Sequence, residues 1–419
     1  MRSKIVAANF NSKQETLISN WRSHPELVEI QHAVAVSLEA TSAKPDAKRV
    51  KDVNGDVCAI WAYSDRESEC EGVASWISAA IESAEMAPED CAVLVRFKPD
   101  VLEQELGPAL ASYGVRLRNI VWNPEGAKIA IQDVLTEDTS QCTMALIRLC
   151  AFQKAPDDWH TVIERLSLIW GLAPDNEAEQ EILQNQVGAK IMDLRTFMAI
   201  NAPSNDSCAA LVHSILEFVG EAELRETVPA YRRDKDYLRA RTGLTCLLKE
   251  SAEGETNWAR VARNVDGVGQ VPLMSIHKST GLEFHTVIFL GLDSGTWWTF
   301  EPQDSEEMRA FFVAFTRAMQ RVYFASCRVC GNRLAYVDDL MAAVGVDRVP
   351  GLDPDLISLQ TDCNKLKNYC SPKPLASASN DGYGGYGCSI CSLGVKGRFE
   401  TFASAGQSGP MAIWVGARL

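Results

Sequence analysis

In the stretch VPLMSIHKSTGLEFHTVIFLGL, residues 271–292, a cation, two hydroxyls, a flexible glycine and a carboxylate crowd one short loop. They are Lys278, Ser279, Thr280, Gly281 and Glu283, with His277 just ahead of them. Open α/β sheets place ligands beyond the carboxyl ends of their strands, and a polar loop between two apolar runs fits such a place. A plain polar surface turn is the competing interpretation. A second candidate is Arg317 in SEEMRAFFVAFTRAMQ, residues 305–320, which the apolar middle predicts to be a packed helix. A guanidinium fixed near such a helix end is a preorganised bidentate donor for a phosphate oxygen. A third is the pair Trp21-Arg22 in NWRSHPELV, residues 20–28. Alone, Arg317 would pass for a solvated surface arginine and Trp21 for a core aromatic.

These residues need a scaffold, and the apolar runs supply one. Val271–Ile276, Thr286–Leu292 and residues 321–327 read as strands buried on both faces, the pattern of a parallel sheet. Further strands are expected at 56–63, 91–97 and 115–121, and a short one in VAANF near the amino terminus. Helices are expected at 71–85 and at 99–114, the latter ended by Gly114, with another from Pro25 onward and one at 336–346. Alternation of this kind implies right-handed crossovers. Residues 123–268 break the alternation with helical patterns only. The predicted fold is therefore α/β, a parallel-sheet domain with an inserted all-helical subdomain. Its divisions are 1–122 and 269–350 for the sheet domain, 123–268 for the insert, and 351–419 for a low-order tail rich in Gly and Ser.

Taken together, H-x-x-x-G-L-E-F at 277–284, E-E-x-R-x-x-F-V-A-x-T-R-A at 306–318 and N-W-R-S at 20–23 resemble motifs V, VI and IV of the UvrD/Rep superfamily 1 DNA helicases. The resemblance spans roughly residues 5–345 and implies a RecA-like second motor domain, P-loop NTPase-like, of an ATP-dependent 3′-to-5′ helicase. It implies that Arg317 acts as an arginine finger and Arg22 also reaches the γ-phosphate. Trp21 would stack on adenine, Glu283 would bind the ribose, and Gly281 would lie at the nucleotide. His277, Lys278 and Ser279 would line single-stranded DNA with a 3′ tail. Thr280 stands where the family usually has Lys, which removes a cation from the DNA side. No G-x-x-x-x-G-K-[ST] stretch and no acidic D-E-x-[QD] box occur. ATP and Mg2+ would therefore bind through an amino-terminal motor domain missing from this chain, which alone is expected to be inactive. The alternative is a non-catalytic module that docks on a separate motor subunit.

Composition narrows the field further. A net charge of −14 excludes wholesale coating of nucleic acid, so DNA contact must be local. One local cluster, Arg232, Arg233, Lys235, Arg239 and Arg241 around Tyr231 and Tyr237, reads either as a phosphate track with aromatic interleaving or as a solvated helix face. Most of the 13 cysteines sit singly in apolar segments and read as reduced buried thiols, which fits the cytoplasm. Cys327/Cys330 and Cys388/Cys391 each have half-zinc spacing, but they lie much farther apart than the ~20 residues of a zinc ribbon, so no metal is expected. No signal peptide or apolar membrane span is present in the sequence, and the tail carries no carboxylate constellation for a nuclease.

Overall fold

The computed structural model describes residues 18–38, 42–123, 129–297, 305–332, 334–346 and 348–351. The strand expected in VAANF, the tail beyond residue 351 and Cys388/Cys391 lie outside these residues. A two-residue strand, β1 (Ser19–Asn20), pairs in parallel with β2 (Asp46–Ala47), and helix α1 (Pro25–Leu38) lies between them in sequence. The main sheet then alternates as expected: β3 (Cys58–Tyr63), α2 (Arg66–Glu82), β4 (Cys91–Val95), α3 (Pro99–Ser112) and β5 (Arg116–Asn119). After a run of helices come β6 (Gln270–Ser275), β7 (Phe284–Phe289), α12 (Ser305–Phe315), β8 (Ala318–Cys327), α13 (Ala335–Ala342) and β9 (Arg348–Pro350). The seven strands are ordered β5-β6-β4-β7-β8-β3-β9, and all their pairings are parallel.

Side-chain alternation along the strands builds two cores. Ile60, Leu94, Phe289 and Phe324 face α1, α12 and α13, where Leu27, Phe311, Phe315 and Met341 complete an aromatic-rich layer. Their neighbours Trp61, Val93, Ile288 and Tyr323 face the other way, against Ile77 of α2 and Leu106 of α3. Strands covered on both faces are continuously apolar, which is why these segments stood out as uninterrupted runs.

Between β5 and β6 every described element is helical: α4 (Ile131–Thr136), α5 (Asp138–Ala151), α6 (Pro156–Ile169), α7 (Glu177–Ile200), α8 (Asn205–Val219), α9 (Glu221–Thr227), α10 (Asp234–Ser251) and α11 (Trp258–Asp266), with a short 3-10 turn at Pro229–Arg232. They enclose their own core, which includes Leu166, Leu183, Leu211 and Leu244. This array and the sheet form one compact unit. Arg118 of β5 ties them together by donating to the Asn264 and Val265 carbonyls in the last turn of α11.

Two points left open by the sequence are decided here. The tyrosines of the basic cluster are not available to stack on bases: Tyr231 and Tyr237 are 1% and 2% exposed and pack edge-to-face in the helical core. The Tyr231 hydroxyl donates to Glu137, and Arg239 pairs with the same carboxylate. What remains at the surface is a solvated helix face. Cys327 and Cys330 are joined in a disulfide rather than forming half a metal site or a pair of free thiols. Seven other cysteines among the described residues are free, and no group of three metal-ligating side chains occurs there.

Candidate nucleotide-facing site

The segment between β6 and β7 crosses the sheet from one edge to the other. Ser275 pairs with Val95, the last residue of β4, so the 3-10 turn Ile276–Ser279 leaves from the carboxyl edge. Phe284 pairs with Ala318, the first residue of β8, so Glu283 arrives at the amino edge. The expectation of a site beyond the strands' carboxyl ends is thus only half right. His277 and Lys278 stay at that edge, whereas Glu283 joins Arg22 and Arg317 at the opposite one.

Arg317 is also placed differently from expectation. Residues 305–320 were predicted as one helix, but α12 ends at Phe315 and residues 318–320 join β8, whose pairing with β7 begins at Phe284. Arg317 therefore occupies the tight turn between helix and strand. Its backbone carbonyl accepts from Phe284 N, and its guanidinium is held by the Val313 carbonyl (2.8 Å), the Thr316 hydroxyl (3.0 Å) and the Leu282 carbonyl (3.5 Å). Arg22 lies beside it. Its Nε and Nη2 both approach Glu283 Oε1 at 2.6 Å, and its Nη1 donates to the Thr316 carbonyl at 3.3 Å. Partial burial, and then the neighbouring Arg22 charge, lower the Arg317 pKa, while Glu283 pulls it back. Glu283 pairs with Arg22 and acts on Arg317 only through its charge, so two guanidiniums stand beside one carboxylate and the cluster is electropositive and suited to an anion.

Four residues not singled out as site candidates in the sequence hold this arrangement. Asn20 Oδ1 accepts from the backbone N–H groups of Arg22 and Ser23, at 2.9 and 3.0 Å. Ser23 donates to the Ala318 carbonyl, and buried His24 meets the Gln320 carbonyl through Nε2, so the segment is stapled to the start of β8. Burial lowers the His24 pKa, and its Nδ1 has no partner, which together describe a neutral ring. Thr316 links the two arginines, its carbonyl accepting from one and its hydroxyl from the other. Asn, Ser and Thr next to the arginines were the available sequence signal, but each is common in any turn.

The remaining candidates divide. Trp21 is 73% exposed beside Arg22, an unusual position for a large aromatic. Gly281 adopts φ +88°, a conformation that favours glycine, and releases the chain toward Glu283. His277 is exposed, and Lys278 pairs with Asp133 of α4 at 3.0 Å. Ser279 is a correction: it is fully buried and donates to the Ile276 carbonyl at 2.7 Å, so its hydroxyl shapes the turn instead of facing a DNA strand.

A wholly parallel sheet covered on both faces, with helices packed around it, is the organisation of a RecA-like domain. Residues 184–329 match the UvrD-like helicase C-terminal domain, so this part of the chain is a UvrD-like helicase C-terminal region. Glu283 and Arg317 lie inside the match, and Trp21 and Arg22 lie before it. Compared with curated proteins, the chain has no significant match. No helix among the described residues is long and apolar enough to cross a membrane.

Proposed function

We propose that this chain supplies the arginine-bearing half of the ATP site of a 3′-to-5′, UvrD-like DNA helicase and part of its single-stranded DNA track. The observation that carries the reading is the meeting of Arg22 and Glu283, 261 residues apart in sequence, beside Arg317 at one point on the amino edge of the sheet. A triphosphate brought to that point by a facing motor domain would displace Glu283 from Arg22 and gather both guanidiniums on its γ-phosphate. Glu283 would then be free to accept from a ribose hydroxyl, and exposed Trp21 would offer its face to the base. Phosphoryl transfer demands little covalent chemistry of the protein, so positioned cations supply most of the catalysis. Mg2+ would be held by the facing domain, because no suitable ligand set occurs among the described residues. On the opposite edge His277 and Lys278 are the residues that would meet a DNA backbone, Lys278 only after releasing Asp133.

The test is ATP hydrolysis by the chain alone and after mixing with a P-loop motor domain of this family, with and without single-stranded DNA. The expected result is no turnover alone and DNA-stimulated turnover in the mixture. Robust hydrolysis by the isolated chain would overturn the half-site reading. Tight binding to a motor subunit without any gain in turnover would favour a non-catalytic docking module.

A further inference from the structure

At the carboxyl edge of the sheet, away from the arginine pair, the Cys327–Cys330 disulfide closes the turn that follows β8. This turn is docked on the loop that follows β7. Ser294 N donates to the Asn332 carbonyl and Asn332 N to the Ser294 hydroxyl, at 2.9 and 2.8 Å. The two loops touch through glycine: a Cβ on Gly295 would lie 2.1 Å from the Cys330 carbonyl oxygen, and one on Gly331 would lie 2.4 Å from Gly295 N. The β7 loop in turn carries Asp293, which pairs with Arg66 of α2.

We propose that Cys327–Cys330 is a thiol–disulfide exchange site, reduced by dithiols and re-formed by disulfide oxidants, whose state sets how firmly these two loops are joined. The two sulfurs are unequal in the way exchange requires. Cys327 is 2% exposed, whereas Cys330 is only half-buried and lines a cavity of about 680 Å³ with Arg66, Phe97, Lys98 and Glu105. A dithiol entering there attacks Cys330 Sγ as a thiolate, and the protein S–S bond breaks. Cys327 leaves as the thiolate, which the Cys330 N–H, 3.2 Å from its sulfur, is placed to stabilise, and then takes a proton. The second thiol of the reagent attacks the mixed disulfide and releases Cys330. Two electrons and two protons pass to the protein, and the reagent becomes a cyclic disulfide. Oxidation runs the same steps in reverse.

The sequence offers a direct assay. Arg328 lies between the cysteines, so trypsin separates Val322–Arg328 from Val329–Arg333 unless the disulfide joins them. The full-length chain is equilibrated across ratios of reduced to oxidised dithiothreitol, blocked with iodoacetamide, digested without reduction and mapped by mass spectrometry. In parallel, amide hydrogen exchange is followed over Gly291–Trp297. The expected result is a linked peptide pair at oxidising ratios and two alkylated peptides at reducing ratios, interconverting reversibly. Exchange over Gly291–Trp297 should quicken about tenfold on reduction, since a docked loop opens more often once its tie is cut. Cys330→Ser should show the faster exchange at every ratio, and the wild-type titration stands even if that variant folds poorly. The proposal is overturned if both peptides stay alkylated at every ratio, if either cysteine links elsewhere, or if the pair resists reduction at every ratio. Loop exchange that ignores the redox state, or one zinc per chain bound to both thiols, would overturn it equally.

Discussion

The two edges of the sheet each hold a cluster of arginine and carboxylate, and they are built on opposite terms. At the amino edge two guanidiniums stand near one carboxylate, which pairs with Arg22, and the Arg22–Glu283 pair is open to solvent, with side chains 30% and 46% exposed. At the carboxyl edge one guanidinium, Arg66, serves Glu69 and Asp293, which are 0% and 1% exposed. Those carboxylates are also satisfied by the backbone: Glu69 accepts from Gly291 N, and Asp293 from the N–H groups of Gly295 and Thr296. Excess, accessible positive charge is a standing invitation to an anion, whereas buried and mutually neutralised charge is a structural rivet. Removing a residue from the first should alter function, and removing one from the second should alter stability.

The largest effect that would test this contrast is Arg317→Ala, assayed with the facing motor domain supplied. Loss of an arginine finger costs about 10³ to 10⁵ in rate, on the order of 4–7 kcal/mol of barrier. ATP turnover should fall by that factor while DNA binding persists. An unchanged rate would place Arg317 among ordinary turn residues.

Next comes Arg66→Ala, which strips the cation from two buried carboxylates. Breaking one side of a buried pair typically costs about 3–5 kcal/mol, far more than an exposed pair. Urea unfolding should show a matching loss of stability, with the arginine cluster at the other edge untouched. A variant within ~1 kcal/mol of wild type would mean that the carboxyl-edge cluster is solvated and that the contrast fails.

The same cluster makes a pH prediction. Burial pushes the Glu69 carboxyl up from 4.5 to about 7, against the pull of Arg66 and the Gly291 N–H. Folded Glu69 thus keeps its proton through a range in which the unfolded chain has already released it. The native state binds the extra proton between about 4.5 and 7, so this group's contribution to stability is full below that window and is lost as pH rises through it. Glu69→Gln, which keeps an acceptor for Gly291 N, should flatten the change in thermal midpoint between about pH 5 and pH 8. An unaltered pH profile would show that Glu69 is already ionised throughout.

Much of this frame was legible because burial leaves a mark on sequence. Strands covered on both faces, such as Cys91–Val95 and Phe284–Phe289, contain almost nothing but apolar residues. The helical array showed as a long stretch with no strand alternation. Direction across the sheet was not legible, since an apolar run does not reveal which edge its neighbouring loop reaches. The α12 boundary was misplaced because the Arg317–Gln320 segment has no helix breaker, and tertiary pairing of Ala318 with Phe284 decided the matter. Of the clustered charges, Arg22, Glu283 and Arg317 were singled out from their motif neighbours, whereas Arg66, Glu69 and Asp293 had no local pattern at all. The burial of Ser279 was not legible either, since a motif match cannot tell a hydroxyl that faces solvent from one that closes a turn.

The smallest effect on stability should come from Glu283→Gln, and it sharpens the comparison most. The Arg22–Glu283 pair is exposed, and pairs of this kind contribute only about 0–1 kcal/mol. The variant should therefore unfold within ~1 kcal/mol of wild type. Yet it removes the carboxylate that occupies Arg22 and lowers the local negative charge, so Arg22 is released toward solvent while an acceptor for a ribose hydroxyl persists as a weaker, neutral amide. With the motor domain supplied, the apparent affinity for ATP should shift with little change in stability, the reverse of the result expected for Arg66→Ala. If Glu283→Gln instead destabilises the chain as strongly as a buried variant, the amino edge is held together by that pair and is a rivet too.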